Sequence, residues 1–193
     1  MGAAITTVLL AFVGYLVTYL NGLRLAQRQE RLARINRQLS ELYGPLLALT
    51  EINSRVYGAF SDRHPRPDGR SPLQHAPDET PLTDEELAEW RLWLTKVFLP
   101  NHQAMRDVLV TKADLLREPH MPPVLLEVYA HASWDELTAA RWDQGDLTLE
   151  QPPEPFPMTE MRRYVRDNFD QLKQEQAALL GRRRLGLGRP FSR

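Results

Sequence analysis

Gly2 to Leu23 is a run of 22 residues without a charged side chain, and it constrains this chain more than any other feature. At about 1.5 Å per residue, a helix of that length reaches roughly 33 Å, enough to cross the hydrocarbon core of a bilayer. A secretory signal peptide opens with a positive n-region, and here no Lys or Arg precedes the run. The run is also longer than a usual h-region, and no small-x-small cleavage site follows it. Residues 1–23 are therefore expected to be an uncleaved signal anchor, a single transmembrane helix.

The flanks set the expected orientation. Arg24, Arg28, Arg31, Arg34 and Arg37 follow the run, with Glu30 the sole acid among them. Positive charge stays on the cytoplasmic side. The expectation is a single-pass cell-membrane protein with its N-terminus outside and residues 24–193 in the cytoplasm. Tyr15 and Tyr19 lie near the inner end, where amphipathic rings favour the interface. The chain has no cysteine. That fits a reducing compartment and removes thiol catalysis and Cys-based zinc sites.

The net charge of −1 is unevenly spread. Residues 21–70 carry +4, residues 71–160 carry −11 and residues 161–193 carry +6. Basic ends suit an anionic leaflet, where each nearby Lys or Arg contributes about 1 kcal/mol of attraction. Arg24, Arg28 and Arg31 at one end, and Arg182, Arg183 and Arg184 at the other, are the expected contacts to lipid headgroups. Nucleic acid is a poorer partner, because aromatic residues do not interleave with the basic ones and the neighbouring region is acidic.

Downstream of the run the periodicity is helical. Leu25, Leu32, Ile35, Leu39, Leu42, Leu46, Leu49 and Val56 recur with a 3–4 alternation, the spacing of a heptad seam. Extended backwards in the same phase, the seam passes through Ala4, Thr7, Ala11, Gly14, Thr18 and Asn21. All six are small or polar, which is how membrane helices approach one another closely. The seam therefore predicts lateral packing against a second copy or another membrane protein. Pro45 removes a backbone donor and crowds the carbonyl of Glu41, so a kink is expected at Gly44-Pro45.

The expected fold is all-α. The membrane helix continues into a juxtamembrane amphipathic helix over 24–60, followed by a cytoplasmic bundle of about four helices. Residues 61–82, with five prolines, read as a linker. A bundle over 83–181 packs with 35–60, and 182–193 form a basic tail. Thr83 and Glu86 have capping-box spacing. Helices are expected from there to about Leu116, with Pro100-Asn101 separating two of them, from about Pro123 to Trp142 with Val124, Leu125, Val128, Tyr129, Ala132 and Leu137 inward, and from about Thr159 to Gly181 with a stripe of Met161, Tyr164, Val165, Phe169, Leu172 and Leu179. Asp143–Pro157 reads as an acidic, proline-rich loop.

No phosphate-binding loop, dinucleotide fingerprint, zincin helix or nucleophile elbow occurs in the sequence. No cofactor is implied. Glu127, His131 and Asp135 are the one constellation that points to chemistry. They stand at i, i+4 and i+8 on one helix face, and carboxylate with imidazole suits a divalent metal or general acid–base work. The competing reading is a solvated outer face with weak i,i+4 pairs. His64 and His75 fall in the linker, where solvation is expected, and His102 has no partner in sequence. Trp90, Trp93, Trp134 and Trp142 at helical spacing read as core. Lys112 and Asp114 read as a surface ion pair.

Glu41-Leu-Tyr-Gly-Pro-Leu46, Thr111-Lys-Ala-Asp-Leu-Leu116 and Met121-Pro-Pro-Val-Leu-Leu126 resemble stretches of uncharacterised bacterial membrane-anchored proteins with a helical cytoplasmic domain. The resemblance covers most of residues 35–180 and implies a bacterial source and no activity. The function expected from the residues is a non-enzymatic, membrane-anchored interaction or assembly protein. The alternative is a membrane-tethered, metal-dependent enzyme using Glu127, His131 and Asp135.

Overall fold

A computed structural model describes residues 2–65, 83–147 and 156–181, with side chains from Leu9 onward, Ala11 excepted. The chain is all-α: among the described residues there is no strand. Four helical rods make the fold. The first runs from α1 (Gly2–Arg37) through a π-helical segment (Gln38–Tyr43) into α2 (Gly44–Arg63). The second runs from α3 (Asp84–Trp93) through a π-helical segment (Leu94–Phe98) into α4 (Leu99–Thr111). A short 3-10 turn (Ala113–Leu115) follows, then α5 (Pro123–Asp143) and α6 (Met158–Leu179).

Both π-segments answer the same problem. A proline inside a helix has no N–H to give and crowds the carbonyl four residues earlier. Pro45 and Pro100 each sit at the start of the helix that follows. The chain widens by one residue just before each of them. Gly44 N–H reaches the Leu39 carbonyl, and Leu99 N–H reaches the Leu94 carbonyl, five residues back in each case. The helices therefore continue where a break would otherwise fall. Gly44 is required for the first: a Cβ there would collide with the Leu39 carbonyl oxygen.

The main core forms where α2, α4, α5 and α6 meet the lower half of α1. Ile35, Leu39, Leu42, Tyr43, Leu46, Met105, Leu109, Leu125, Val128, Met161, Val165 and Leu172 are all buried there. The stripe expected on the last helix faces this core throughout, with Tyr164, Phe169 and Leu179 partly buried beside it. A second, smaller core joins Leu94, Phe98 and Trp142, with Val56, Tyr57, Trp90 and Trp93 packed against it. On α5, Leu125, Val128 and Ala132 turn inward, whereas Tyr129 and Leu137, expected inward, are exposed.

Polar contacts hold the rods in register. The Thr83 capping box is complete, its hydroxyl accepting from Glu86 N–H and the Glu86 carboxylate accepting from Thr83 N–H. Glu51 of α2 accepts from Arg162 and Arg166 of α6, and these two guanidinium groups lower its pKa. Lys112 pairs with Glu41 at 2.8 Å, and Asp114 with Arg37 at 3.7 Å, so the expected Lys112–Asp114 pair is replaced by two pairs to the first rod. His64 is not a solvated linker residue: it caps α2, packs its ring at a tilt against Phe60 and lies 3.2 Å from Glu89. The tyrosine hydroxyls of Tyr43 and Tyr164 meet in the core, and burial pushes both pKa values up.

Among the described residues, no helix is long and apolar enough to cross a membrane. This corrects the expected transmembrane anchor and the single-pass localisation with a cytoplasmic C-terminal part. Tyr15, Thr18, Tyr19 and Asn21 lower the hydropathy of the stretch ahead of Arg24.

Candidate functional sites

Two regions stand apart from ordinary core packing. The first is a buried cluster between α4 and α5. The buried positions of the second rod step by four from Leu94 to Phe98 to His102, and then pass to Met105 and Leu109. A regular α-helix turns a step of four progressively off its face, and the π-segment's extra residue restores the phase. His102 is thereby carried inward, where it is 4% exposed. Asn101 beside it donates to the buried Asn53 side chain at 2.7 Å, pinning the start of α4 to α2.

On α5, His131 and Asp135 stand one turn apart and face His102. Asp135 is 4% exposed. Its Oδ2 lies 2.6 Å from His102 Nδ1, and its Oδ1 lies 3.7 Å from His131 Nε2. The ring of Phe156 closes the cluster. It stacks on His102 at 4.5 Å and 7°, and stands edge-on to His131 at 5.2 Å and 85°. One ligand atom from each of His102, His131 and Asp135 lies within 4.8 Å of the others. Next to the cluster, Glu136 accepts from Gln103 and Arg106 of α4, and Arg106 is the larger cause of its lowered pKa. These bonds fix the spacing of the two helices where the cluster sits.

The expected trio is therefore regrouped. His131 and Asp135 come together, and they are not on a solvated face. Glu127 is exposed and is not part of the group. His102 takes its place from another helix. The step of four through Phe98 was the one sequence signal that could have found it. Phe156, inside a proline-rich stretch, gave none.

The second region is the upper half of α1. The seam divides near Arg28. Below it, Ile35, Leu39 and Leu42 are buried in the chain's own bundle, and Leu32 is partly buried. Arg28 donates to the Leu179 carbonyl at the C-terminus of α6, where a cation also meets the negative end of the helix dipole. Arg31 pairs with Glu175 at 3.1 Å. Arg28 and Arg31, expected to face lipid, thus bind the end of α6. Arg24 is exposed, and Arg182, Arg183 and Arg184 lie outside the described residues, as does linker 66–82.

Above Arg28 the helix leaves the bundle. Its apolar side chains are exposed on every side, from 42% at Leu16 to 69% at Leu10, with Phe12, Val13, Val17, Leu20 and Leu23 between. Leu25 is exposed too. Of the upstream seam, Gly14, Thr18 and Asn21 lie in this bare stretch, and nothing stands within 4 Å of a Cβ built on Gly14. Thr18 returns its hydroxyl to the Gly14 carbonyl, so its polarity is satisfied within the helix. The side chains of Ala4, Thr7 and Ala11 lie outside the described ones.

Comparison of this chain with family models, with curated proteins and with solved structures returns no match.

Proposed function

We propose that this chain is a non-enzymatic interaction or assembly protein that associates with a second copy of itself through the upper half of α1. The observation that supports this is the exposure of that helix. A helix that is apolar all round is ordinarily buried. Large contiguous exposed apolar surfaces mark interaction sites. Here every described side chain from Leu9 to Leu25 is exposed in the single chain.

The seam favours an identical partner. A two-fold interface uses the same patch on both sides, so the patch must fit itself. The row that carries Gly14, Thr18 and Asn21 does so, because two small faces let the helix axes come close. Larger side chains flank the row, Leu10 and Val17 on one side and Tyr15 on the other, and would close over the contact. The bundle below holds α1 in place through Arg28 and Arg31, so the projecting half is presented as a preformed helix. Preformed partners lose less conformational entropy on association.

Cysteine trapping of the full-length chain in cells tests the reading, because the chain has no cysteine of its own. Gly14→Cys is expected to give a disulfide-linked dimer well above the level of Phe12→Cys, which lies off the row. Equal trapping at the two positions would contradict self-association through the seam. Trapping of Gly14→Cys to a different protein would replace the second copy by that partner.

A further inference from the structure

We propose that His102, His131 and Asp135 form a site for one divalent transition-metal ion of the zinc class, which ties α4 to α5. The donor set is the first argument. Two imidazole nitrogens and one carboxylate oxygen are the ligands that zinc, cobalt(II) and iron(II) share, and three protein ligands leave a further position open. Magnesium and calcium prefer all-oxygen sites and are disfavoured by the same chemistry.

Geometry is the second argument. Ligand atoms about 2.0–2.2 Å from a tetrahedral ion stand roughly 3.4 Å from one another. The Asp135 oxygens lie 2.6 Å from His102 Nδ1 and 3.7 Å from His131 Nε2, values on either side of that separation. One ligand atom from each residue lies within 4.8 Å of the others, so the side chains have to draw together to hold the ion. The helix backbones are already held at this spacing by Glu136 with Gln103 and Arg106.

Burial is the third. A carboxylate inside a fold is costly unless it is paired or ligates a metal. Asp135 is nearly sealed from solvent, with one histidine in contact and a second within reach. Phe156 covers both imidazole rings and supplies the dry wall that strengthens metal–ligand bonds. His131 is the more accessible ligand and gives the ion its path in. The inference is independent of self-association through α1.

Cobalt(II) titration of the metal-stripped full-length chain tests the site. The expected result is one cobalt per chain with visible d–d absorption, displaced by zinc, and a melting temperature raised by either ion. His131→Ala, at a part-exposed position, is expected to fold, to weaken cobalt binding at least tenfold and to abolish the thermal shift. Losing a direct ligand should cost no less than the roughly 10–100-fold typical of its outer-shell partners. His120→Ala, at an exposed turn, is expected to bind as the parent does. Failure of the full-length chain to bind cobalt stoichiometrically would overturn the proposal. So would equal binding by His131→Ala.

Discussion

Gly44 shows how much one backbone position decides here. Its missing Cβ leaves room for the Leu39 carbonyl, and that room lets the chain absorb Pro45 without breaking. Gly44→Ala should therefore destabilise the fold although alanine is the better helix former. The expected loss is about 1–3 kcal/mol, the usual cost of forcing an atom into a packed site. A urea midpoint measured beside that of Gly58→Ala, where a Cβ meets open space, checks this. Gly58→Ala should leave stability unchanged or improve it. His102 makes the complementary point. Its chemistry was invisible in sequence because its partners, His131 and Asp135, lie some thirty residues away on another helix.

At the scale of elements, the helix ends and inward stripes were largely legible. The Thr83 capping box, the stripe from Met161 to Leu172 and the positive-φ Gly181 after α6 follow local rules that act within one or two turns. What was not legible is how faces pair. Tyr129 and Leu137 of α5 looked inward by their chemistry, yet the buried face of α5 is the one carrying Asp135 and Thr138. The heptad seam read as one surface and is two. Below Arg28 it is core of the chain's own bundle, and above it nothing in the described chain covers it. Periodicity reports which side of a helix is apolar and does not report what packs there. The two halves should respond differently to truncation. Leu39→Ala is expected to cost about 2–5 kcal/mol in denaturant unfolding. Leu10→Ala should change it by no more than about 0.5 kcal/mol in the single chain. Similar losses at both positions would mean that the upper helix is already packed within one chain.

At the scale of the whole molecule, four rods packed around a main and a smaller core leave half of the first rod projecting. The bundle supplies a rigid mount, through the end of α6, for a bare apolar helix. The membrane reading of that helix gave way to the finding that no described helix is long and apolar enough to span a bilayer. Exposure of the same helix now carries the proposed association with a second copy. The most direct test is the solution mass of the full-length chain over a range of concentrations, by light scattering. Self-association requires twice the 22.3 kDa of one chain at high concentration, falling towards one chain on dilution. It also requires that Gly14→Leu, which fills the close-contact face, shift the midpoint of that transition upward. A mass of one chain at every concentration, or a dimer indifferent to Gly14→Leu, would contradict the account.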